Sequence, residues 1–494
     1  SGSSRSFSPL SDFQRSSCAR RPTPMIIVPG IGKKKIGVYG LGATGLATCE
    51  ALAASGAEVY CWDDKEEARN KTLNTRYAAE HPKQWPWDEI RSLSLSPGIP
   101  LTHPAPHPIV RKAHQSGVEV IGDIEFFARA VNALPAKERP RIVAITGSNG
   151  KSTTTALIGH VLKEAGKDAI VGGNIGKPVM QLPPVDAHRT YVLELSSFQL
   201  DLAKTLRSNT AVLLNLSPDH IDRHGSMEGY AAAKKRIFLN QEAEDTAVIG
   251  VDDQWTQSVC AKLMTEGARR VTPISAEGAL GRGVFALNAR LYYSLGDKSG
   301  EAGDISNIAS LRGQHNWQNA AAALAAAVAE GIAPNLAVNG MDRFAGLPHR
   351  MEIVAKKGPV LFVNDSKATN ADATMRALKS YSDIFWIAGG KPKEGGVETL
   401  RPLMERVRGV YLIGEAAQDF EAQIAGAAPS FQCGDMPTAV ARAARDAAIS
   451  GLSAPVVLLS PACASYDQFR NFEERGEVFR KLANQVESFN GEAA

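Results

Sequence analysis

At 494 residues the chain is long enough for about three domains, each with its own core. Charged residues make up 22% and the hydrophobic set 44%, as in an ordinary water-soluble globular protein. The net charge of +3 sits in residues 1–24, which carry four Arg against one Asp; the remainder balances, so it offers no electrostatic footprint for nucleic acid or an anionic membrane, and no run of about 18 apolar residues is present to span one.

Residues 1–24 are Ser- and Arg-rich without apolar periodicity, and superficially suggest a transit peptide. The chain opens Ser-Gly, however, and Met25 precedes the strand-like Ile26-Ile27-Val28, so 1–24 read as a disordered leader or a vector remnant. The six Cys (18, 49, 61, 260, 433, 463) form no CxxC, which points to reduced thiols in a cytoplasmic protein. The first block, 25–138, begins with a βαβ pattern: strand 36–39, helix 44–55 closed by Gly56, and strand 58–62 ending at Asp63-Asp64. Gly40-Leu41-Gly42-Ala43-Thr44-Gly45 matches GxGxxG at the strand-to-helix turn, with Asp63 at the acidic position after the next strand. Gly42, Ala43 and Thr44 would then face a pyrophosphate at a helix N-terminus, whether from NAD or from a UDP-sugar. Ser96-Pro97-Gly98 reads first as a turn and second as another anion-facing loop. The stretch 132–140 is the linker.

The second block, 139–346, holds the most informative segment, Arg141 to Ser152. An apolar strand runs into Gly147, Ser148, Asn149 and Gly150, and Lys151, Ser152 and Thr153 then open a helix over 152–165. Loop N–H groups and a helix N-terminus can wrap a phosphate, Lys151 adds a point charge, and the Ser152 hydroxyl can ligate Mg²⁺. Ile145 occupies the position of the first Gly in GxxxxGK[ST], so the match is to a shortened pattern. Strands are predicted at 191–195, 211–216 and 247–251, with a hairpin at 283–294 before an Ala-rich helix. Glu194 ends an apolar strand beside the loop and is placed to hold Mg²⁺. In Asp219-His220-Ile221-Asp222-Arg223-His224, His220 reads as lying near Mg²⁺ or substrate, and Asp222 and His224 as loop-fixing residues. Lys234, in Ala-Ala-Ala-Lys-Lys-Arg, reads on composition as part of a solvated cationic helix face. Asn316 and Asn319 open the Ala-rich helix, where amides cap the helix or read a nucleobase edge.

The third block, 347–494, has strands predicted at 360–364, 384–388, 410–413 and 456–460, and a helix at 437–449. Three polar segments follow these strands: 364–370, Gly389-Gly390-Lys391-Pro392-Lys393, and 460–466. Ligands bind at that edge in open α/β sheets, and the Lys and hydroxyl groups suit an anion. Cys463 reads as a buried structural thiol. All three blocks read as α/β with largely parallel sheets.

Taken together, TGSNGKS (146–152), GGNIG (172–176), ELSSFQL (194–200), DHIDRH (219–224), HNWQN (315–319), LPHR (347–350) and NDSKATN (364–370) resemble the Mur ligase family of peptidoglycan synthesis. SPACASYDQFRNFEERG (460–476) is similar to its D-glutamate-adding branch. The resemblance implies a Rossmann-like UDP-binding domain, a P-loop-type ATPase domain and a Rossmann-like C-terminal domain in a bacterial cytoplasmic enzyme, expected to be a monomer. It implies that ATP phosphorylates the carboxylate of UDP-MurNAc-L-Ala and that the D-glutamate amine then displaces phosphate through a tetrahedral intermediate. By the same resemblance Lys151 grips the ATP phosphates, and Ser152, Glu194, His220 and Lys234 serve two Mg²⁺ ions, Lys234 as a carbamate formed from CO₂. Asn174 and His220 contact the substrate diphosphate, Ser96 and Gly98 line its seat, and Asp63 contacts uracil. Asn316, Asn319, Arg350, Asp365 and Lys367 form the nucleotide site; Thr369, Lys393, Ser465 and Phe472 hold D-glutamate. Lys393 is chosen over Lys391 by spacing.

Three other readings compete. Another Mur-type or folylpolyglutamate-type ligase lacks the reason for the 460–476 segment. An NAD-dependent oxidoreductase built on 40–63 leaves the phosphate loop unexplained. A non-catalytic ATP-binding regulator would have no need of Lys151, Glu194, His220 and Lys234 together.

Overall fold

The computed structural model describes residues 25–392 and 395–487, in three α/β units arranged along the chain. The predicted leader, 1–24, and Lys393 lie outside the described residues.

The first unit is a four-stranded, all-parallel sheet of β1 (Lys35–Tyr39), β2 (Glu58–Trp62), β3 (Ile90–Leu95) and β4 (Glu119–Ile121), in the order β2-β1-β3-β4. The β1 strand ends at Gly40, whose φ of +95° turns the chain into the helix Ala43–Ala54. A Cβ at Gly45 would stand 1.8 Å from the Gly40 carbonyl, so glycine there lets the helix start against the strand end.

The central sheet has nine strands: β5 (Arg141–Thr146), β6 (Asp168–Gly173), β7 (Arg189–Glu194), β8 (Thr210–Leu213), β9 (Thr246–Gly250), β10 (Arg270–Ser275), β11 (Gly283–Leu287), β12 (Arg290–Leu295) and β13 (Lys298–Asp304). Their order is β13-β12-β11-β10-β9-β8-β5-β7-β6. From β6 to β11 all pairs are parallel; β12 and β13 add antiparallel strands. The predicted hairpin is there, turning on Asn288 and Ala289, both at positive φ as a two-residue primed turn requires. The prediction omits β13, because Lys-Ser-Gly-Glu-Ala-Gly-Asp has no apolar alternation and pairs only through its backbone. The Ala-rich helix Gln314–Ala329 buries Ala320 to Ala327 against the helix Lys151–Glu164 and the sheet, where methyl-sized side chains permit close packing.

The third sheet comprises β14 (Glu352–Lys357), β15 (Val360–Asn364), β16 (Ile384–Gly389), β17 (Val407–Ile413), β18 (Ser430–Gly434) and β19 (Val456–Leu459), in the order β14-β15-β19-β16-β17-β18. Only β14 is antiparallel.

The first two units share one apolar core: Ile26, Val28 and Ile31 pack in the same cluster as Val179, Met180 and Leu182. Ile26 N–H donates to the Met180 carbonyl at 3.2 Å. The buried Glu125 carboxylate accepts from the Lys204 and Thr205 N–H groups at 2.6 and 2.8 Å. The second and third units instead face each other across a polar cleft. No described helix is long and apolar enough to cross a membrane.

Candidate active site

The phosphate loop joins β5 to the helix Lys151–Glu164, with Gly147 at φ +151° and Gly150 at φ +82°. A Cβ at Gly150 would stand 2.3 Å from Asn319 Oδ1, so the loop lies hard against the Ala-rich helix. Asn215, just past β8, clasps the loop: its Oδ1 accepts from Asn149 N–H at 2.9 Å, and its Nδ2 donates to Asn149 O at 3.3 Å. Ser148 Oγ donates to Ser217 O at 3.0 Å and lies 3.1 Å from the Tyr230 hydroxyl. The loop is therefore pre-shaped by side chains that the sequence reading did not single out, since Asn215, Ser217 and Tyr230 join it only through the fold.

Lys151 Nζ donates to the carbonyls of Gly147 and Ser148, both at 2.9 Å. Burial holds its pKa below the usual lysine value, against the opposing pull of Glu194 and Asp219. Lys234 corrects the composition-based reading of a solvated face. It is 2% exposed, and its Nζ donates to Gly147 O at 2.9 Å and Thr146 Oγ1 at 3.3 Å. Burial, then the charge of Lys151, lowers its pKa well below the lysine range. Glu194 at the end of β7 is buried; Oε1 accepts from Asn174 Nδ2 at 2.9 Å, while Oε2 is buried with no hydrogen-bond partner among the described residues. Asn174 thus faces Glu194. His220 adopts φ +52° and is half-exposed at the start of the short helix Ile221–His224, its ring 5.0 Å from that of Phe198. His224 is buried on the same Phe198, ring to ring at 5.3 Å, with Nε2 2.9 Å from Ser197 Oγ.

The cleft between the second and third units brings together Gly150, Thr153, Asn316, Asn319, Arg350, Asp365 and Lys367. Asn319 is bound within the protein: Oδ1 accepts from Thr154 Oγ1 at 3.1 Å and Nδ2 donates to Asn316 Oδ1 at 3.0 Å. Asp365 is buried, and desolvation pushes its carboxyl up to about 7, although Ser460 Oγ donates to it at 2.8 Å and Met351 N–H at 3.2 Å. Two cleft residues were missed from sequence, His315 and Arg376. Burial lowers the His315 pKa to about 4, with the charges of Arg376 and Arg350 acting in the same direction. Arg376, on the helix Ala371–Ser380, carries no local signal that marks it off from a surface arginine.

In the third unit, the loops after β15 and β19 are tied together by Arg475, itself 1% exposed. Its guanidinium donates to Ser366 Oγ and O, Cys463 O and Ala464 O at 2.8–3.2 Å. Ser366 Oγ donates to the Phe472 carbonyl, and Lys367 Nζ lies 5.7 Å from the Phe472 ring centroid. Ser465 is buried within this group, and Thr369 lies on the 364–370 loop.

At the C-terminal edge of the first sheet, Ser96 Oγ donates to Gly40 O at 2.8 Å, which makes Ser96 a brace for the glycine turn. Asp63 accepts from Leu41 N–H at 2.6 Å and Lys65 N–H at 2.9 Å. Beside it, Tyr39, Trp62, His81 and His107 line an aromatic slot, with the Tyr39 hydroxyl donating to Asp64 at 2.6 Å.

Three family models match consecutive parts of the chain: the N-terminal domain of MurD-like Mur ligases over residues 34–122, the Mur ligase middle domain over 145–327 and the Mur ligase glutamate ligase domain over 349–463. The chain is 55% identical over 460 residues to the UDP-N-acetylmuramoylalanine–D-glutamate ligase of Caulobacter sp. (strain K31), covering 93% of this chain and 98% of that one. It is 51% identical to the ligase of the same name from Phenylobacterium zucineum (strain HLK1), covering 95% and 100%. Its fold is similar to that of MurF from Acinetobacter baumannii (TM-score 0.56, 16% identity, 91% and 93% covered) and of UDP-N-acetylmuramate-alanine ligase MurC from Thermotoga maritima (0.54, 17%, 91% and 99%). A chain matched over more than nine-tenths of its length by relatives of this identity, with the phosphate loop, Glu194 and Lys234 gathered at one sheet edge, belongs to the Mur ligase family.

Proposed function

We propose that the chain joins D-glutamate to UDP-N-acetylmuramoyl-L-alanine, the two substrates its relatives are named for, with conversion of ATP to ADP and phosphate. The observation that carries the reading is the convergence of Lys151, Lys234 and the unpartnered Glu194 oxygen on the phosphate loop, beside the polar cleft. In this reading ATP lies in the cleft lined by Asn316, Asn319, Arg350, Asp365 and Lys367. Its phosphates reach the N–H groups of 147–150, and Lys151 exchanges its carbonyl contacts for phosphate oxygens. The UDP moiety lies on the turn at Gly42, Ala43 and Thr44, with Ser96 and Gly98 alongside, its base in the aromatic slot by Asp63. Asn174 and His220 lie toward the sugar diphosphate. The L-alanyl carboxylate attacks the γ-phosphorus and forms an acyl phosphate with release of ADP. The D-glutamate amine, held by Thr369, Ser465, Phe472 and Lys393, adds to that carbonyl. The tetrahedral intermediate expels phosphate and leaves the amide. The protein contributes placement and charge neutralisation, without a covalent enzyme intermediate.

Mg²⁺ fits this site. A buried carboxylate oxygen without a hydrogen bond at Glu194 is a vacancy that a divalent cation would satisfy. Ser152, in the first turn after the loop, and His220 are further donors. Among the described residues no group of three Asp, Glu, His or Cys could hold an ion alone. A carbamate at Lys234 would complete the set. Its ammonium form is disfavoured by burial, and the neutral amine is the form that attacks CO₂: an N–C bond forms as one C=O π pair moves onto oxygen, and one proton leaves the nitrogen, so a neutral amine becomes a carbamate anion. Mg²⁺ would supply neutralisation of the charge on the transferring phosphoryl group.

The test is phosphate release with ATP, Mg²⁺ and UDP-MurNAc-L-Ala, adding D-Glu, L-Glu, L-Lys or meso-diaminopimelate in turn. Release that requires D-Glu, with a product heavier by one glutamyl residue, supports the assignment. Release with another amino acid moves the enzyme to another step, and no release refutes the reading.

A further inference from the structure

The sequence segments around the site come from two units, and one side chain joins them. Arg223 lies on the short helix Ile221–His224 of the central unit and is half-buried. Its Nη1 donates to Gly98 O at 2.9 Å, and its Nη2 to Ile99 O at 2.9 Å and Pro97 O at 3.4 Å. Three consecutive carbonyls of the first unit therefore converge on one guanidinium; among the described residues no carboxylate forms an ion pair with it, although the charges of Asp222 and Asp201 act on it. The same group lies over the Phe198 ring at 4.5 Å. Phe198 belongs to the helix Ser197–Asp201, four residues after Glu194, and it also packs against the rings of His220 and His224.

The 97–99 turn is in turn a brace of the proposed diphosphate seat. Ile99 N–H donates to Ser96 O at 3.0 Å, and Ser96 Oγ to Gly40 O. A Cβ at Gly40 would meet Ser96 at 2.5 Å and Ile99 at 2.9 Å, so any shift of the turn is felt at the glycine loop. On the other side, Arg223 N–H donates to His220 O at 3.0 Å, which ties the guanidinium to the backbone that carries His220.

We propose that Arg223 is a positioning residue that sets the separation between the UDP-binding turn of the first unit and the phosphate loop of the second, and so decides where the substrate carboxylate meets the γ-phosphate. A guanidinium is suited to this because its planar fork can serve several carbonyls at once, which an ammonium cannot hold in fixed geometry. The inference rests on the reaction proposed above. It touches no reacting atom, and its effect is confined to a ligand that spans both units.

The experiment compares wild type with Arg223→Ala and Arg223→Lys, using steady-state kinetics, titration with UDP alone and thermal melting. The expected result is a KM for UDP-MurNAc-L-Ala raised roughly tenfold with kcat lowered, since a small misplacement of reactants is costly in rate. UDP alone, which lacks the muramoyl-alanyl arm that must reach the γ-phosphate, should lose no more than about twofold in affinity, and the KM for ATP should stay within about twofold. Arg223→Lys should recover part of the loss; it also serves if the alanine variant fails to fold. Folded variants with wild-type KM for the full substrate overturn the proposal, as does equal loss of UDP, ATP and full-substrate binding, which would mark a merely structural residue. A wild-type protein inactive with every amino acid refutes the reaction itself, and is distinct from either result.

Discussion

Lys151 and Lys234 donate to the same acceptor, the carbonyl oxygen of Gly147, each at 2.9 Å. Two ammonium groups on one carbonyl in a buried site repel each other, and the more buried of the two gives up its proton first. Lys234 is that group, since burial and then Lys151 lower its pKa well below the lysine range. The phosphate loop thus carries two lysines whose charged forms are both disfavoured by burial, Lys234 the more strongly.

If Lys234 works as a carbamate, Lys234→Ala should lose about a thousandfold or more in phosphate release. Small carboxylates added to the variant should restore part of it. Wild-type protein equilibrated with ¹³CO₂ should show a carbamate carbon resonance that the variant lacks. Full turnover by Lys234→Ala would refute the role.

Gly150→Ala places a methyl group 2.3 Å from Asn319 Oδ1 at a backbone with φ +82°. Denaturant unfolding should show a loss of about 2–3 kcal/mol, from strain and contact together, and ATP titration should show weakened binding. Gly166→Ala is the control: φ is +79° with nothing within 4 Å of the new methyl, so only the conformational cost of about 1 kcal/mol remains, with ATP binding unchanged.

Arg350 and Arg376 share the cleft between the second and third units, where burial, and then the charge of Arg350, lowers the affinity of Arg376 for its proton. Neither guanidinium makes a side-chain hydrogen bond or ion pair among the described residues, so a polyanion is the partner their charge calls for. Arg376→Ala should raise the KM for ATP roughly tenfold while leaving the KM for the UDP-substrate alone. Titration with adenosine should be nearly unaffected; an equal loss for adenosine would place Arg376 on the base.

The Asp365 carboxyl titrates at about 7 in the folded protein against an ordinary 3.8. Between those values the folded state binds more protons than the unfolded one, so this group's contribution to stability falls as pH rises from about 4 through 7. Asp365→Asn does not titrate. The stability of the variant relative to wild type, measured by denaturant midpoints without ligand, should therefore be more favourable at pH 8 than at pH 5. A pH-independent difference would show that the carboxyl is not held up by burial.

Much of the molecule was legible from local pattern. The strands 360–364 and 384–388 stand where apolar and β-branched density predicted them, because buried strands need continuous apolar runs whatever surrounds them. The phosphate loop and GxGxxG turn were legible for a related reason: glycine at positive φ followed by a helix start is a local backbone requirement. The strands β13 and β18 were not, since KSGEAGD and SFQCG pair at sheet edges with little apolar patterning of their own.

The residues whose chemistry depends on long-range neighbours needed the fold. Lys234 and Lys235 are adjacent and identical, yet the first is 2% exposed on the phosphate loop while the second is only partly covered. Successive helical residues point about 100° apart, and only packing decides which one meets the site. Arg223, Arg376 and Arg475 look alike in sequence. Tertiary structure gave them three different settings, because a guanidinium's role is set by the acceptors brought to it: the backbone carbonyls of another unit, a polar cleft, or two loops of one sheet edge. The sequence by itself determined the family, the sheet class and the phosphate loop; the tertiary structure alone decided which of its cations are buried together, since burial and charge proximity are properties of distances between residues far apart in the chain.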